Sequence, residues 1–146
     1  MRALIQRVKE AWVEVEGERI AEIGLGLLVY VGFGHQDRSP ALQEFARKLP
    51  RFRLFPPEGH ERSLLDVGGS VLLVSQFTLY GELRRGRRPS FTAAAPYAEG
   101  AQRFQELTEY LRAEGVSLAT GRFGALMEVG SRNWGPFTLW WEDEDA

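Results

Sequence analysis

The sequence predicts an α+β domain with largely antiparallel β-sheets and two main helices, and three observations carry that reading. Short β-prone runs crowd both ends of the chain. Two central stretches instead repeat apolar residues at helical spacing. The resulting order, βββ-β-α-β-α-βββ, does not alternate as a parallel βαβ fold would, so the helices are expected to cover one side of the sheets. At 146 residues the chain reads as one domain, 1–146, long enough to bury a sizeable core.

Each element has a local reason. Arg2 to Val8, Ala11 to Val15 and Arg19 to Ile23 are β-prone runs, the last two joined across Glu16-Gly17-Glu18. After Gly24 and Gly26, Leu27 to Val31 is an apolar run of buried-strand length. Ser39-Pro40 reads as a cap and first turn, followed by Leu42, Phe45, Ala46 and Leu49 at helical spacing. Pro56-Pro57 opens a loop, and Val71 to Thr78 returns to strand. Tyr97, Ala101, Phe104, Leu107 and Leu111 mark the second and stronger helix. Val116 to Thr120, Ala125 to Val129 and Phe137 to Trp141 close the chain as strands.

Composition narrows the function classes. The apolar share of 44% and charged share of 26% are those of an ordinary globular protein. No run approaches the roughly 18 apolar residues of a membrane span. Met1 to Arg7 leads directly into a strand pattern without signal-peptide architecture, so a cytoplasmic protein is expected. With no cysteine there is neither a disulfide framework nor a thiolate metal site. His35 and His60 have no partner at metal-ligand spacing, so no metal and no cofactor are expected. The glycines at 24, 26, 32 and 34 lack the rest of a dinucleotide or phosphate-loop fingerprint and read as strand-end turns. Arginine greatly outnumbers lysine, which suits a heat-adapted source or a biased genome.

Charge is −2 overall, but Glu142 to Asp145 form an acidic tail, and clustering says more than the sum. Arg84, Arg85, Arg87 and Arg88 place four guanidinium groups around Gly86. Such a cluster is either a solvated loop or a grip on phosphate oxygens.

Two stretches point to chemistry. In Ser75-Gln76-Phe77-Thr78, an apolar strand turns polar at its end, as strands bordering a cleft do. Thr78 and Ser75 are the candidate nucleophiles, yet no activating base stands beside either in the sequence. In Asn133-Trp134-Gly135-Pro136-Phe137-Thr138, the chain's only asparagine sits beside a Gly-Pro pair. That pair is either a tight turn or backbone offered to a ligand, since glycine lets carbonyls approach closely.

Together these segments resemble the D-aminoacyl-tRNA deacylases. The resemblance rests on Ser-Gln-Phe-Thr-Leu at 75–79, Arg-Gly-Arg-Arg-Pro-Ser-Phe at 85–91, Thr-Gly-Arg-Phe-Gly-Ala at 120–125 and Asn-Trp-Gly-Pro-Phe-Thr at 133–138, with the opening Met-Arg-Ala-Leu-Ile-Gln-Arg-Val. It spans the chain in the family's order. Trp134 and Leu126 stand where the family usually has Asp, and Glu61-Arg62-Ser63-Leu64 replaces its common Lys-Met-Asn-Leu loop.

The resemblance implies a barrel-like core, an obligate homodimer, and hydrolysis of the ester joining a D-amino acid to the terminal ribose of tRNA. It further implies action on glycine mischarged on alanine tRNA. Gly135 and Pro136, joined in cis, would reach into the partner subunit's site and exclude L-aminoacyl groups. Ser75, Phe77 and Met127 would line the substrate, with Gln76, Phe77 and Thr78 at the reacting ester. Thr78 would position rather than attack. Arg84, Arg85, Arg87 and Arg88 would hold the tRNA backbone. Two other classes remain open on the residues alone: a non-catalytic RNA-binding module, and a small-ester hydrolase with a true Thr78 or Ser75 nucleophile.

Overall fold

Strand β1 (Arg2–Val15) is the spine of the molecule, one long strand where the sequence suggested two. The computed structural model describes residues 1–35 and 37–143, so Glu144 and Asp145 of the acidic tail lie outside the described residues. Pairing slips on either side of Val8 allow the chain to run through Lys9 and Glu10 without stopping. They also move the buried residues to the other face: Ala3 and Ile5 face one core, while Val8, Ala11 and Val13 face another. A bulge is the ordinary way to make that switch, because side chains otherwise alternate strictly. Glu16 and Gly17, both at positive φ (52° and 80°), then turn the chain into β2 (Glu18–Ile23). That two-residue turn matches the twist of a hairpin.

The main sheet is mixed: the antiparallel pairing expected of it holds around β1, but parallel pairs that the sequence did not suggest adjoin it. β1 runs antiparallel to β2, to β3 (Gly26–Gly32) and to the last strand, β8 (Glu128–Glu142). β3, however, is parallel to β6 (Ser70–Ser75), and β6 is parallel to β7 (Ser117–Thr120). The reason is the placement of the two main helices. α1 (Ser39–Lys48) lies in the crossover from β3 to β6, and α3 (Tyr97–Ala113) in the crossover from β6 to β7. Parallel neighbours need such long connections. Between them the chain adds β4 (Arg53–Phe55), β5 (Arg62–Ser63) and the short α2 (Leu64–Val67), none of which has a periodic signal. Ser63 and Asp66 cap α2 reciprocally, so the divergent Glu61–Leu64 segment is a helix start of its own.

The six-stranded sheet curls until β2 lies against β6 and β7, giving a nearly closed barrel with a core on each face. Val71 and Leu73 of β6 look outward with Phe45, Leu107 and Leu111 of the helices. Leu72 and Val74 look inward to Val8, Val13 and Leu28. Burial on both faces explains the unbroken apolar runs of β3 and β6. Ser39 is not the cap of α1 but its first residue, and its hydroxyl bonds Glu106 on α3 at 3.0 Å. Trp141 belongs to the core, tilted against Phe45 and Phe52.

Candidate active site

β3 and β6 end side by side, and the chain leaves β6 earlier than a strand to Thr78 would require. The Gln76 amide still donates to the Val31 carbonyl at 2.7 Å, but Phe77–Tyr80 then form a single 3-10 turn. Gly32 makes this possible, since a Cβ there would stand 2.7 Å from the Gln76 carbonyl oxygen. Among the described residues the backbone amides of Phe77 and Thr78 have no carbonyl partner. The first amides of a helical turn have no partner within it, and here Phe77 lines two cavities. The Gln76 carboxamide donates to the Thr78 hydroxyl, which fixes both side chains.

Two cavities meet at this point. The first, about 340 Å³, has β3 as its floor (Val31, Gly32, Phe33) and Ser75, Gln76, Phe77, Phe91 and Tyr97 among its walls. Aromatic pairs flank it: Phe77 is edge-on to Phe91 at 5.2 Å, and Tyr97 is edge-on to Phe123 at 5.2 Å. The second, about 400 Å³, shares Ser75, Gln76, Phe77, Tyr97 and Phe123 and adds Leu126, Met127 and Val129. Phe77 is 57% exposed and Tyr97 68%. Phe104, Phe123 and Tyr97 form a column of rings from the core to this junction. Tyr97 therefore opens α3 but is not one of its core positions, a correction to the helical-spacing reading. Gly124, at φ +80°, gives its ring room, because a Cβ there would strike the tyrosine.

The structure thus brings Ser75, Gln76, Phe77 and Met127 together. Thr78 is exposed and is not among the residues lining either cavity. No histidine or carboxylate among the described residues lines them either. Among the described residues no group of three His, Asp or Glu side chains is placed to hold a metal ion. No helix of the described residues is long and apolar enough to cross a membrane.

Gly135 and Pro136 sit elsewhere. The expected strand Phe137–Trp141 is the second half of β8, and the pair is not a hairpin turn between two strands. Between the pairs Gln6–Thr138 and Val8–Asn133, four residues of β8 bulge out opposite Arg7 alone. Proline is admissible there because a bulge on an edge strand asks for no amide hydrogen. Asn133 closes the bulge: its Oδ1 accepts from the Phe137 amide at 2.8 Å, and its Nδ2 donates to Thr138 Oγ1 at 3.1 Å. From inside, Arg7 donates to the Trp134 carbonyl at 3.0 Å and to the Leu54 carbonyl at 2.8 Å. Its guanidinium lies 4.8 Å from the Trp134 ring and 4.6 Å from the Phe137 ring. The Gly135–Pro136 bond is cis. Both residues are exposed, and neither is among the residues lining these two cavities. The sequence reading overlooked Arg7, whose only signal was a cation within the opening motif.

The arginine cluster occupies the tip of a loop closed by the pairing of Glu82 with Ser90. All four side chains are exposed. Arg84 is tied to Glu82 by two 2.8 Å bonds, and this holds the Glu82 carboxyl down at about 2. Arg85, Arg87 and Arg88 have no ion-pair partner among the described residues. The loop returns through Phe91, which lines the first cavity. The segment beginning at Ala125 is loop as far as Met127, and β8 begins only at Glu128. That loop carries Met127 to the second cavity, where its sulfur packs close to Gly121.

Comparison with known proteins identifies the family. A family model described as D-Tyr-tRNA(Tyr) deacylase matches residues 4–142. The D-aminoacyl-tRNA deacylase of Bacillus licheniformis is 52% identical over 141 residues, covering 95% of this chain and 96% of that protein. Among solved structures, the c-Myc DNA Unwinding Element Binding Protein is 34% identical, with a TM-score of 0.90 and coverage of 98% of this chain and 99% of the other. A probable eukaryotic D-amino acid tRNA deacylase shares the fold at a TM-score of 0.84 and 20% identity, over 96% of this chain and 97% of the other. The match runs through the strand-end turn, the arginine loop and the Gly-Pro bulge alike, and on that breadth the chain belongs to the D-Tyr-tRNA(Tyr) deacylase family.

Proposed function

We propose that this protein hydrolyses the ester of D-aminoacyl-tRNA, releasing the free D-amino acid and tRNA, and that it works as an obligate homodimer. The observation that carries the reading is the turn at Phe77, where an amide without a carbonyl partner begins a helical turn at a residue that lines both cavities. An aminoacyl ester is already activated, so it needs a fixed carbonyl and a stabilised oxyanion more than a strong base. Backbone amides aimed at the developing negative charge supply that. Water adds to the ester carbonyl, the bond to the ribose 3′-oxygen breaks, and that oxygen leaves with a proton. The substrate's own 2′-hydroxyl assists the transfer. Gln76 orients Thr78, and Thr78 positions rather than attacks, in keeping with its place outside the cavities.

The junction suits the substrate's two ends. Aromatic walls around the first cavity match a nucleobase, while Ser75, Phe77 and Met127 of the second receive the aminoacyl group. The arginine loop above would hold the tRNA backbone. Selection falls to Gly135 and Pro136 of the partner subunit, whose carbonyls would face the amino group and Cα. An enzyme open to many D side chains cannot read the side chain, and rigid backbone that an L side chain would strike reads Cα alone. The exposure of the pair on its own chain supports action in trans. Glycine has no side chain to collide, so glycyl-tRNA, including glycine mischarged on alanine tRNA, is expected to be a substrate.

Two substrates, D-Tyr-tRNA and D-tyrosine ethyl ester, and one binding probe, uncharged tRNA, test the class of function. Rapid hydrolysis of the first, with slow hydrolysis of the second, is the expected result. Binding of tRNA without hydrolysis would leave an RNA-binding module. Equal hydrolysis of both esters would leave a small-ester hydrolase.

A further inference from the structure

Outside the cavities, a buried polar cluster lies against the back of the 77–80 turn. The Tyr80 ring is 5% exposed and is stacked by Arg2, whose guanidinium carbon is 4.4 Å from the ring centroid. Arg2 Nη1 donates to the Leu79 carbonyl at 3.0 Å, and its Nε donates to Glu142 Oε1 at 3.0 Å. The Tyr80 hydroxyl donates to Asp37 Oδ2 at 3.4 Å, and the same carboxylate accepts the Gly34 amide at 2.5 Å and the Met1 amine. Burial, then the nearby Asp37 charge, pushes the Tyr80 hydroxyl well above its ordinary range, so it remains a neutral donor. Gly32 and Gly34, read from the sequence only as turn glycines, make the seat. A Cβ on Gly34 would come within 3.1 Å of the Tyr80 ring, and one on Gly32 within 2.7 Å of the Gln76 carbonyl.

The cluster has a direction. The amides of Phe77 and Thr78 begin the turn without a carbonyl partner among the described residues, and a cation holds the Leu79 carbonyl near its end. A bond from a guanidinium is charge-assisted and about twice as strong as a neutral one. It anchors the Leu79–Tyr80 peptide at the end of the same turn whose first amides, those of Phe77 and Thr78, would meet the oxyanion. We infer that Arg2 is a positioning residue of the reaction, holding the Leu79 carbonyl so that the Phe77 and Thr78 amides stay aimed at the ester. The inference rests on the deacylase reading above. The ordinary alternative is an ion pair with Glu142 that only fastens the two chain ends, since Arg2 and Glu142 are strand partners.

The test is single-turnover hydrolysis of D-Tyr-tRNA by wild type, Arg2→Gln, Arg2→Lys and Glu142→Gln, with melting temperatures taken alongside. Arg2→Gln should lower the maximal rate roughly ten- to thirtyfold, the kinetic equivalent of one lost charge-assisted bond. The half-saturating enzyme concentration should stay within about twofold, since a charge-assisted bond behind the turn does not touch the substrate. Arg2→Lys, which keeps a donor for Leu79, should restore most of the rate. Glu142→Gln should keep the wild-type rate. A wild-type rate in Arg2→Gln would overturn the inference. So would a loss of roughly tenfold or more in Glu142→Gln, a readout that also decides the matter if Arg2→Gln does not fold. An inactive wild type would bring down the deacylase reading itself, and this inference with it.

Discussion

Asn133 shows how single residues set the geometry on which the proposed selection depends. Its side chain replaces the sheet hydrogen bonds that the Gly-Pro bulge forgoes, while Arg7 holds the same bulge from the inside. Gly135 has φ +142°, and a Cβ there would stand 3.1 Å from the Phe137 amide nitrogen and 3.2 Å from an Arg7 guanidinium nitrogen. Gly135→Ala is therefore expected to cost about 1–3 kcal/mol at the bulge and to cut D-Tyr-tRNA hydrolysis sharply. Wild-type rates in that variant would reduce the pair to a structural kink. Thr78→Ala should behave differently. Its hydroxyl faces only the Gln76 carboxamide, so the loss should be near the ~1 kcal/mol of one neutral hydrogen bond. A nucleophile would cost several orders of magnitude, and a trapped acyl-threonine would establish one.

At the scale of elements, the arginine loop carries its own prediction. Arg85→Ala with Arg88→Ala should weaken tRNA binding and flatten its salt dependence by up to about one log unit per lost phosphate contact. The preference for D- over L-aminoacyl groups should not change. Arg84→Ala should matter less, because Glu82 already neutralises that guanidinium. Filter-binding titrations across salt concentrations measure all three. Altered chiral preference would instead move the loop into the catalytic pocket. These same elements show what a sequence reveals. α1, α3, β3 and β6 were legible because burial leaves a period or an unbroken apolar run. The parallel pairing of β3, β6 and β7 was not, since nothing local distinguishes a crossover helix from one packed across antiparallel strands. The bulges were equally hidden: β1 and β8 each read as two strands because the slip interrupts the alternation without ending the strand. At the site, Ser75 and Gln76 stood out as polar residues closing an apolar run. Arg2, Arg7 and Tyr97 did not, because their roles depend on partners distant in sequence.

For the whole molecule the claim is that one chain holds half a site. β8 pairs only with β1, and Trp140, near its end, is half exposed. Sedimentation should show a dimer throughout the working concentration range, with activity lost on dissociation, whereas an active monomer would contradict the placement of the filter. The central claim is that this dimer hydrolyses aminoacyl-tRNA by reading the chirality at Cα. Initial rates of hydrolysis of D-Tyr-tRNA and L-Tyr-tRNA, measured side by side on the wild-type protein, test it most directly. The account predicts rapid release of D-tyrosine and release of L-tyrosine at the spontaneous rate. Equal rates for the two, or no release of either, would contradict it.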